Sequence, residues 1–278
     1  MKVQIIIPCI NLWSKYTRAC VESVQAAMVS AKKHGIECRI LLIDNASTDE
    51  TRDEAGKMVS DMFAHKRNEE RLGFQMSVNF GVNDAWERGF DYALVCNNDI
   101  LLHQEAIWRL VGRFSSPTYV DPETKEESGL AMVTCMDMRG QIEPQAFLQC
   151  NPNDVGQAPE APHPNFSAFM LSKEAWETVG EMDEVFAPAY FEDNDYHYRI
   201  KLAGMEAITY PPALFYHFAS GTQREAKERE GGGAMVSNQQ FEANRATYAR
   251  KWGGLPGEEK FETPYNEPVS FTATKQSP

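Results

Sequence analysis

No apolar stretch in these 278 residues approaches the ~20 residues that a bilayer-spanning helix needs. The amino terminus opens on a strand pattern instead of a charged segment followed by an apolar one. We therefore expect a soluble, unprocessed, cytoplasmic protein. No Cys-x-x-Cys pair occurs among Cys9, Cys20, Cys38, Cys96, Cys135 and Cys150, and several of these lie in apolar runs where a free thiol acts as a small hydrophobe. That usage fits a reducing cytosol. Basic residues are in the minority, 27 Lys and Arg against 40 Asp and Glu, so the net charge of -13 argues against a general nucleic-acid binder and leaves room only for a local basic patch. Glycine is absent from Pro8-Cys9-Ile10-Asn11-Leu12, directly after the first strand pattern. A Rossmann oxidoreductase needs Gly-x-Gly-x-x-Gly there for its pyrophosphate, so this class is excluded even though Asp44 ends the second strand where such enzymes carry an acid.

What is present is enough apolar content, 42%, to bury one large core or two small ones, and one domain with a decorated end is expected. Val3 to Ile7, Ile40 to Ile43 and Tyr92 to Cys96 read as strands buried on both faces. Between them, Val21, Val24, Met28 and Ala31 recur at helical spacing, so a helix is predicted from about Thr17 to His34, ended by cations and Gly35. A second helix, capped at Ser47 or Thr48, takes its apolar face from Met58, Val59, Met62 and Phe63. A third runs from about Gln75 to Arg88, after a polar stretch from His65 to Arg71. This alternation predicts right-handed crossovers and a parallel sheet. Further strands are predicted at Leu130 to Cys135, Phe166 to Leu171 and Ala207 to Tyr210, with Pro211-Pro212 as a break before an edge strand, Ala213 to Tyr216. The proline-rich stretch Gln149 to Asn165 is irregular and long enough to cover a site.

Three polar clusters admit two readings each. Asn97-Asn98-Asp99 at the end of a buried strand sits where open α/β sheets bind ligands, and Asp99 suits a hard divalent cation. The triplet equally suits a turn that caps the helix starting near His103. Phe191-Glu192-Asp193-Asn194-Asp195 precedes a helix over Tyr196 to Ala203 and is either plain capping or catalytic. His217 ends a strand and is either an ordinary polar residue or a ligand.

Taken in order, these pieces resemble the GT-A glycosyltransferases, and in particular the large inverting family 2, over about Val3 to Ser220. Val3 to Asn11 is similar to that family's opening strand, and Asp44-Asn45-Ala46-Ser47-Thr48-Asp49 is similar to its nucleotide-binding Asp-x-x-Ser-x-Asp pattern. Asn79-Phe80-Gly81, Gly89 and Asn97-Asn98-Asp99 follow where the family has its helix of small residues and its Asp-x-Asp element, with Asn97 replacing the first acid. Phe191 to Asp195, Arg199, Gly204 and His217 complete the pattern. The tail from Phe241 to Pro264, with Asn244, Tyr248, Lys251-Trp252-Gly253-Gly254 and Glu259, resembles the end of some bacterial and phage members.

The resemblance implies an α/β fold of GT-A type, a mixed, mainly parallel sheet flanked by helices. Residues 1–220 would form the transferase domain, with a nucleotide-binding half at 1–100 and an acceptor half at 101–220. Residues 221–278 would add a lid and tail on the same domain. It implies a metal-dependent inverting glycosyltransferase that moves a hexosyl or pentosyl group from a UDP- or dTDP-sugar to an acceptor hydroxyl on a glycan, lipid-linked saccharide, protein or modified DNA base. Asp99 and His217 would hold Mn2+ or Mg2+. Pro8, Asn11, Asp44, Ser47, Asn79, Asn97 and Asn98 would line the donor. Asp193 would be the catalytic base, with Glu192 as its rival. Fewer carboxylates at the Asp-x-Asp position should mean a weaker and more readily exchanged metal. The rival reading is a protein of this fold that binds a nucleotide sugar or glycan without turning it over. Separately, Gly231-Gly232-Gly233 with Arg224, Lys227 and Arg229 makes Gly221 to Gln239 either a mobile lid over the diphosphate or a solvated helix on a glycine tether. Neither the sugar, the acceptor nor the oligomeric state is legible.

Overall fold

The computed structural model describes residues 1–155, 158–218 and 236–267. β1 (Lys2–Cys9), whose β-branched run is buried from Val3 to Cys9, lies in the middle of the parallel half. After α1 (Arg18–Lys33), β2 (Glu37–Asn45) pairs with it in parallel register, Ile5 opposite Ile40. α2 (Thr51–Lys57), β3 (Phe63–Asn68) and α3 (Phe74–Glu87) lead to β4 (Tyr92–Cys96), which pairs parallel with the other edge of β1.

The predicted second helix is corrected here. It stops at Lys57, and Phe63, assigned to its apolar face, begins β3, an edge strand parallel to β2. Val59 and Met62 are exposed between the two elements. An edge strand buries one face at most, and only Phe63 of β3 is fully buried, so Ala-His-Lys-Arg-Asn carries no apolar pattern to announce it.

β5 (Ile100–Leu102), α4 (Ala106–Phe114), β6 (Thr118–Val120) and β7 (Glu127–Asp137) follow. The proline-rich stretch then contains two short helical turns, α5 (Pro144–Phe147) and α6 (Pro152–Val155). β8 (Ala168–Ser172), α7 (Lys173–Val179), α8 (Glu192–Leu202), β9 (Met205–His217) and α9 (Asn238–Trp252) come next. The sheet runs β3-β2-β1-β4-β8-β7-β9-β5, with β6 on β7. It is parallel from β3 to β4, turns antiparallel on both sides of β8, and is parallel again where β7 meets β9.

β9 is one strand, not the two expected around Pro211-Pro212. Its pairing to β7 jumps from Tyr210 opposite Cys135 to Leu214 opposite Met136. The prolines, which have no N–H to give the ladder, sit in that bulge.

Both faces of the sheet are covered. Ile5, Ile7, Leu42 and Leu94 pack with α1 and α4, while Ile6, Ile43 and Val95 pack with α3, α7 and α8. α3 lies so close to the sheet that a Cβ at Gly81 would stand 2.5 Å from Ile6 Cγ2. α9 packs against the same body through Phe186, Tyr198, Tyr248 and Trp252. Most of the expected lid, residues 221–235 of 221–239, lies outside the described residues. No described helix is long and apolar enough to cross a membrane. Gly81→Ala is expected to lower stability by about 1–2 kcal/mol in denaturant unfolding, because overpacking against Ile6 outweighs the ~1 kcal/mol helix-propensity gain.

Candidate active site

The site is assembled at the carboxyl ends of β1, β2 and β4, where the parallel half of the sheet meets the antiparallel one. Two cavities adjoin there. The first, about 240 Å³, is lined by Pro8, Asn98, Asp99, His217, Arg71 and Pro188, and the second, about 590 Å³, by Asp137, Asn165, Ser167, Glu192 and Asp193. Asn97 lines both. Its backbone N–H extends the β4–β8 ladder to Ser167 O at 2.8 Å, while its buried side-chain oxygen has no hydrogen-bond partner among the described residues.

In the first cavity, strand pairing creates the key contact. β5 runs antiparallel to β9 with Ile100 opposite His217, which leaves Asp99 Oδ1 3.2 Å from His217 Nε2. The other ring nitrogen, Nδ1, stands 3.5 Å from Ser167 Oγ. Asn98 supports the floor by donating to Thr17 Oγ1 at 2.9 Å. No group of three or more His, Cys, Asp or Glu among the described residues could hold an ion. A carboxylate and an imidazole side by side nevertheless suit a cation whose remaining ligands are diphosphate oxygens and water.

The β1 and β2 loops are stapled together beside this cavity. Asn11 N donates to Ser47 Oγ at 2.7 Å, and Asn11 Oδ1 accepts from Thr48 N at 2.7 Å. Asp44 is fully buried beneath them, with Ser47 N on Oδ1 and Arg67 on Oδ2, each at 2.8 Å. Burial pushes its acid up, but His65, Ser47 and Arg67 together outweigh that and hold it down at about 2. Asp44 therefore organises the loop that would face a nucleotide, and Arg67, invisible as a site residue in the sequence, is its counter-ion. Asn79 is not brought to either cavity. Its amide clasps Met182 in both directions at 2.9 Å, bracing the segment ahead of the acid pair.

In the second cavity, α8 begins with Glu192 and Asp193. Glu192 is buried and its Oε2 has no hydrogen-bond partner among the described residues. Burial, reinforced by the neighbouring Asp193 charge, pushes Glu192 up to about 8, and burial raises Asp193 as well. Asp193 Oδ1 accepts a hydrogen bond from Asn194 N at 2.8 Å. Both carboxyls are thus held above the ordinary carboxylate range by burial, and the two adjacent acids titrate as a coupled pair.

The sequence reading missed Arg71 and Pro188 in the first cavity and Asp137, Asn165 and Ser167 in the second. Only Asn165, at the end of the proline-rich stretch, lay in a segment expected to cover a site.

The model of the family described as glycosyl transferase family 2 matches residues 4–129, and those residues supply β1, β2, β4 and Asp99. The chain carries a family 2-like glycosyltransferase domain of the GT-A fold. A galactofuranosyl glycosyltransferase of Leishmania donovani is 44% identical to the chain over 57 residues, 20% of this chain and 13% of that protein, so the chain spans a small part of that relative's length. Among solved structures, S. aureus TarS 1-349 in complex with UDP-GlcNAc superposes with a TM-score of 0.57 at 15% identity, covering 90% of this chain and 66% of that one. GalNAc-T7 with UDP, GalNAc and Mn2+ gives a TM-score of 0.58 at 15% identity, covering 91% of this chain and 49% of that one. At such identity the likeness establishes the shared GT-A fold of the family 2-like domain.

Burial that favours neutral Glu192 has a consequence for stability. The proton held in the folded state stabilises it fully below an ordinary carboxyl pKa, and this contribution is lost as pH rises to about 8. Glu192→Gln should therefore raise the thermal midpoint most at about pH 9, with the gain shrinking towards about pH 5. Equal gains at both pH values in a thermal-shift series would show that Glu192 is not buried as a neutral acid.

Proposed function

We propose that this chain is a cytoplasmic, metal-dependent inverting glycosyltransferase that moves a sugar from a UDP- or dTDP-sugar to an acceptor hydroxyl. The observation that carries the reading is the division of labour across Asn97. Asp99 and His217 line only the first cavity, and Glu192 and Asp193 only the second. Inverting displacement needs that separation, because the leaving diphosphate and the deprotonated nucleophile must approach opposite faces of one carbon. The presence of UDP-GlcNAc in the TarS complex and of UDP with Mn2+ in the GalNAc-T7 complex supports the nucleotide and the cation.

In this reading Asp99 and His217, 3.2 Å apart, would hold Mn2+ or Mg2+. A divalent cation there supplies charge neutralisation for the leaving diphosphate. The stapled Asn11–Ser47 loops and the Asp44–Arg67 pair present backbone to the nucleotide. Asn97 stands where the transferred sugar crosses from one cavity to the other, and its unpaired carbonyl oxygen can accept a sugar hydroxyl proton. The Asp193 carboxylate takes the proton of the acceptor hydroxyl as that oxygen bonds to the anomeric carbon. The bond from that carbon to the diphosphate oxygen breaks, and its electron pair leaves with the nucleotide. Neutral Glu192, beside it, donates a hydrogen bond instead of competing for the proton.

A panel of UDP- and dTDP-sugars, assayed for nucleoside diphosphate release with saccharide, protein and hydroxymethylated DNA acceptors, tests the proposal. Asp193→Asn should lower turnover by roughly 10²- to 10⁴-fold with donor affinity nearly unchanged. A larger loss in Glu192→Gln would exchange the two roles. Donor binding with no release under any acceptor would leave a binding protein of the same fold.

A further inference from the structure

α9 lies beyond the part of the chain that the family model matches, and its buried face is unusual in being polar. Asn244, Tyr248, Lys251 and Trp252 all turn inward, at the i, i+4, i+7 and i+8 positions of one helical stripe. A helix that served only to cover apolar surface would be better held by leucines, since burying an amide and an ammonium costs desolvation that directed bonds must offset. The bonds here are directed, and they land on both sides of Glu192 and Asp193.

On the near side, Asn244 Nδ2 reaches three carbonyls of one turn, Phe186 O at 2.7 Å, Ala189 O at 2.9 Å and Tyr190 O at 3.2 Å. Gln240 Nε2 holds the Asn244 oxygen at 2.9 Å. That turn needs support from elsewhere. Tyr190 and Phe191, neither of them glycine, both adopt left-handed backbone with φ of 79° and 74° immediately before the acid pair. Ala189 in the same turn lines both cavities.

On the far side, Asp195 is fully buried and receives Lys251 Nζ at 2.6 Å, Trp252 Nε1 at 2.8 Å and Arg199 Nε at 2.9 Å. Lys251 also reaches Asp183 at 2.6 Å, ahead of the turn. The acid pair is thus pinned before and after by side chains of one helix.

We propose that Asn244 and Lys251 are positioning residues for the acid pair, fixing where α8 starts and hence where Glu192 and Asp193 stand in the second cavity. Neither lines either cavity. The proposal rests on the reading of Asp193 and Glu192 as the proton-handling groups. It also gives the carboxyl-terminal motif Asn244…Tyr248…Lys251-Trp252 a task that the donor site does not.

The test follows the Glu192 carboxyl by carbon-13 NMR titration in the parent, in Asn244→Asp and in Lys251→Met. Asn244→Asp keeps the shape but replaces a donor to three carbonyls with an acceptor. Lys251→Met leaves Arg199 and Trp252 on Asp195, so it remains folded if the first variant does not. In both, release of the turn should admit water to Glu192 and lower its titration midpoint by about one unit or more, a tenfold change in proton affinity. Gly81→Ala, which perturbs packing under β1, should leave that midpoint where it is. With a working donor and acceptor, kcat should fall about 10²-fold while donor KM stays within about threefold. An unchanged Glu192 midpoint in either folded variant overturns the proposal, as does a midpoint that Gly81→Ala moves equally. Full transfer by Asp193→Asn would instead sink the proton-transfer reading while the titration still reports on the anchors.

Discussion

Everything at the site depends on how β4 ends. It pairs parallel to β1 on one side and antiparallel to β8 on the other, so its carboxyl terminus is the point where the parallel half and the second half of the sheet are joined by hydrogen bonds. The ladder continues through Asn97 N to Ser167 O before the chain turns away. Because that turn is held from both halves, Asn97, Asn98 and Asp99 face different neighbours within three residues: both cavities, Thr17 and His217. The three-residue strand β5 then pairs back on β9 and brings His217, over a hundred residues distant in sequence, beside Asp99.

Much of this was legible in the sequence because buried parallel strands announce themselves. Val3 to Ile7, Ile40 to Ile43 and Tyr92 to Cys96 are continuous apolar runs followed by short polar residues, and all three became central strands with site residues at their ends. What stayed hidden was hidden for physical reasons. β3 is an edge strand whose side chains are mostly half-solvated, so Ala64 to Asn68 has no periodicity to read. β5 is too short for any pattern, and its identity comes wholly from pairing with β9. The two prolines of β9 looked like a break because local propensity cannot foresee a bulge that excuses them from the ladder.

The site residues divide in the same way. Asp99, His217, Glu192 and Asp193 were visible as chemistry-bearing types at element ends, and the fold brings them to adjoining cavities. Asn79 was visible only through resemblance, and its amide is spent on the Met182 backbone. Arg67, Ser167 and Asp137 gave no signal, since each matters through a partner distant in sequence. Glu192 and Asp193 carry adjacent carboxyls at the start of α8, and only the structure reveals that burial raises both. Burying an acid that is favoured in its neutral form costs stability at high pH.

The central claim is that Asp99 and His217 form half of a cation site completed by a nucleoside diphosphate. Anomalous scattering at the manganese edge, from crystals grown with UDP and Mn2+, addresses it most directly. The account predicts a single strong peak bonded to Asp99 Oδ1, His217 Nε2 and diphosphate oxygens. UDP bound in the first cavity with no manganese between these two side chains, or manganese bound elsewhere on the chain, would contradict it.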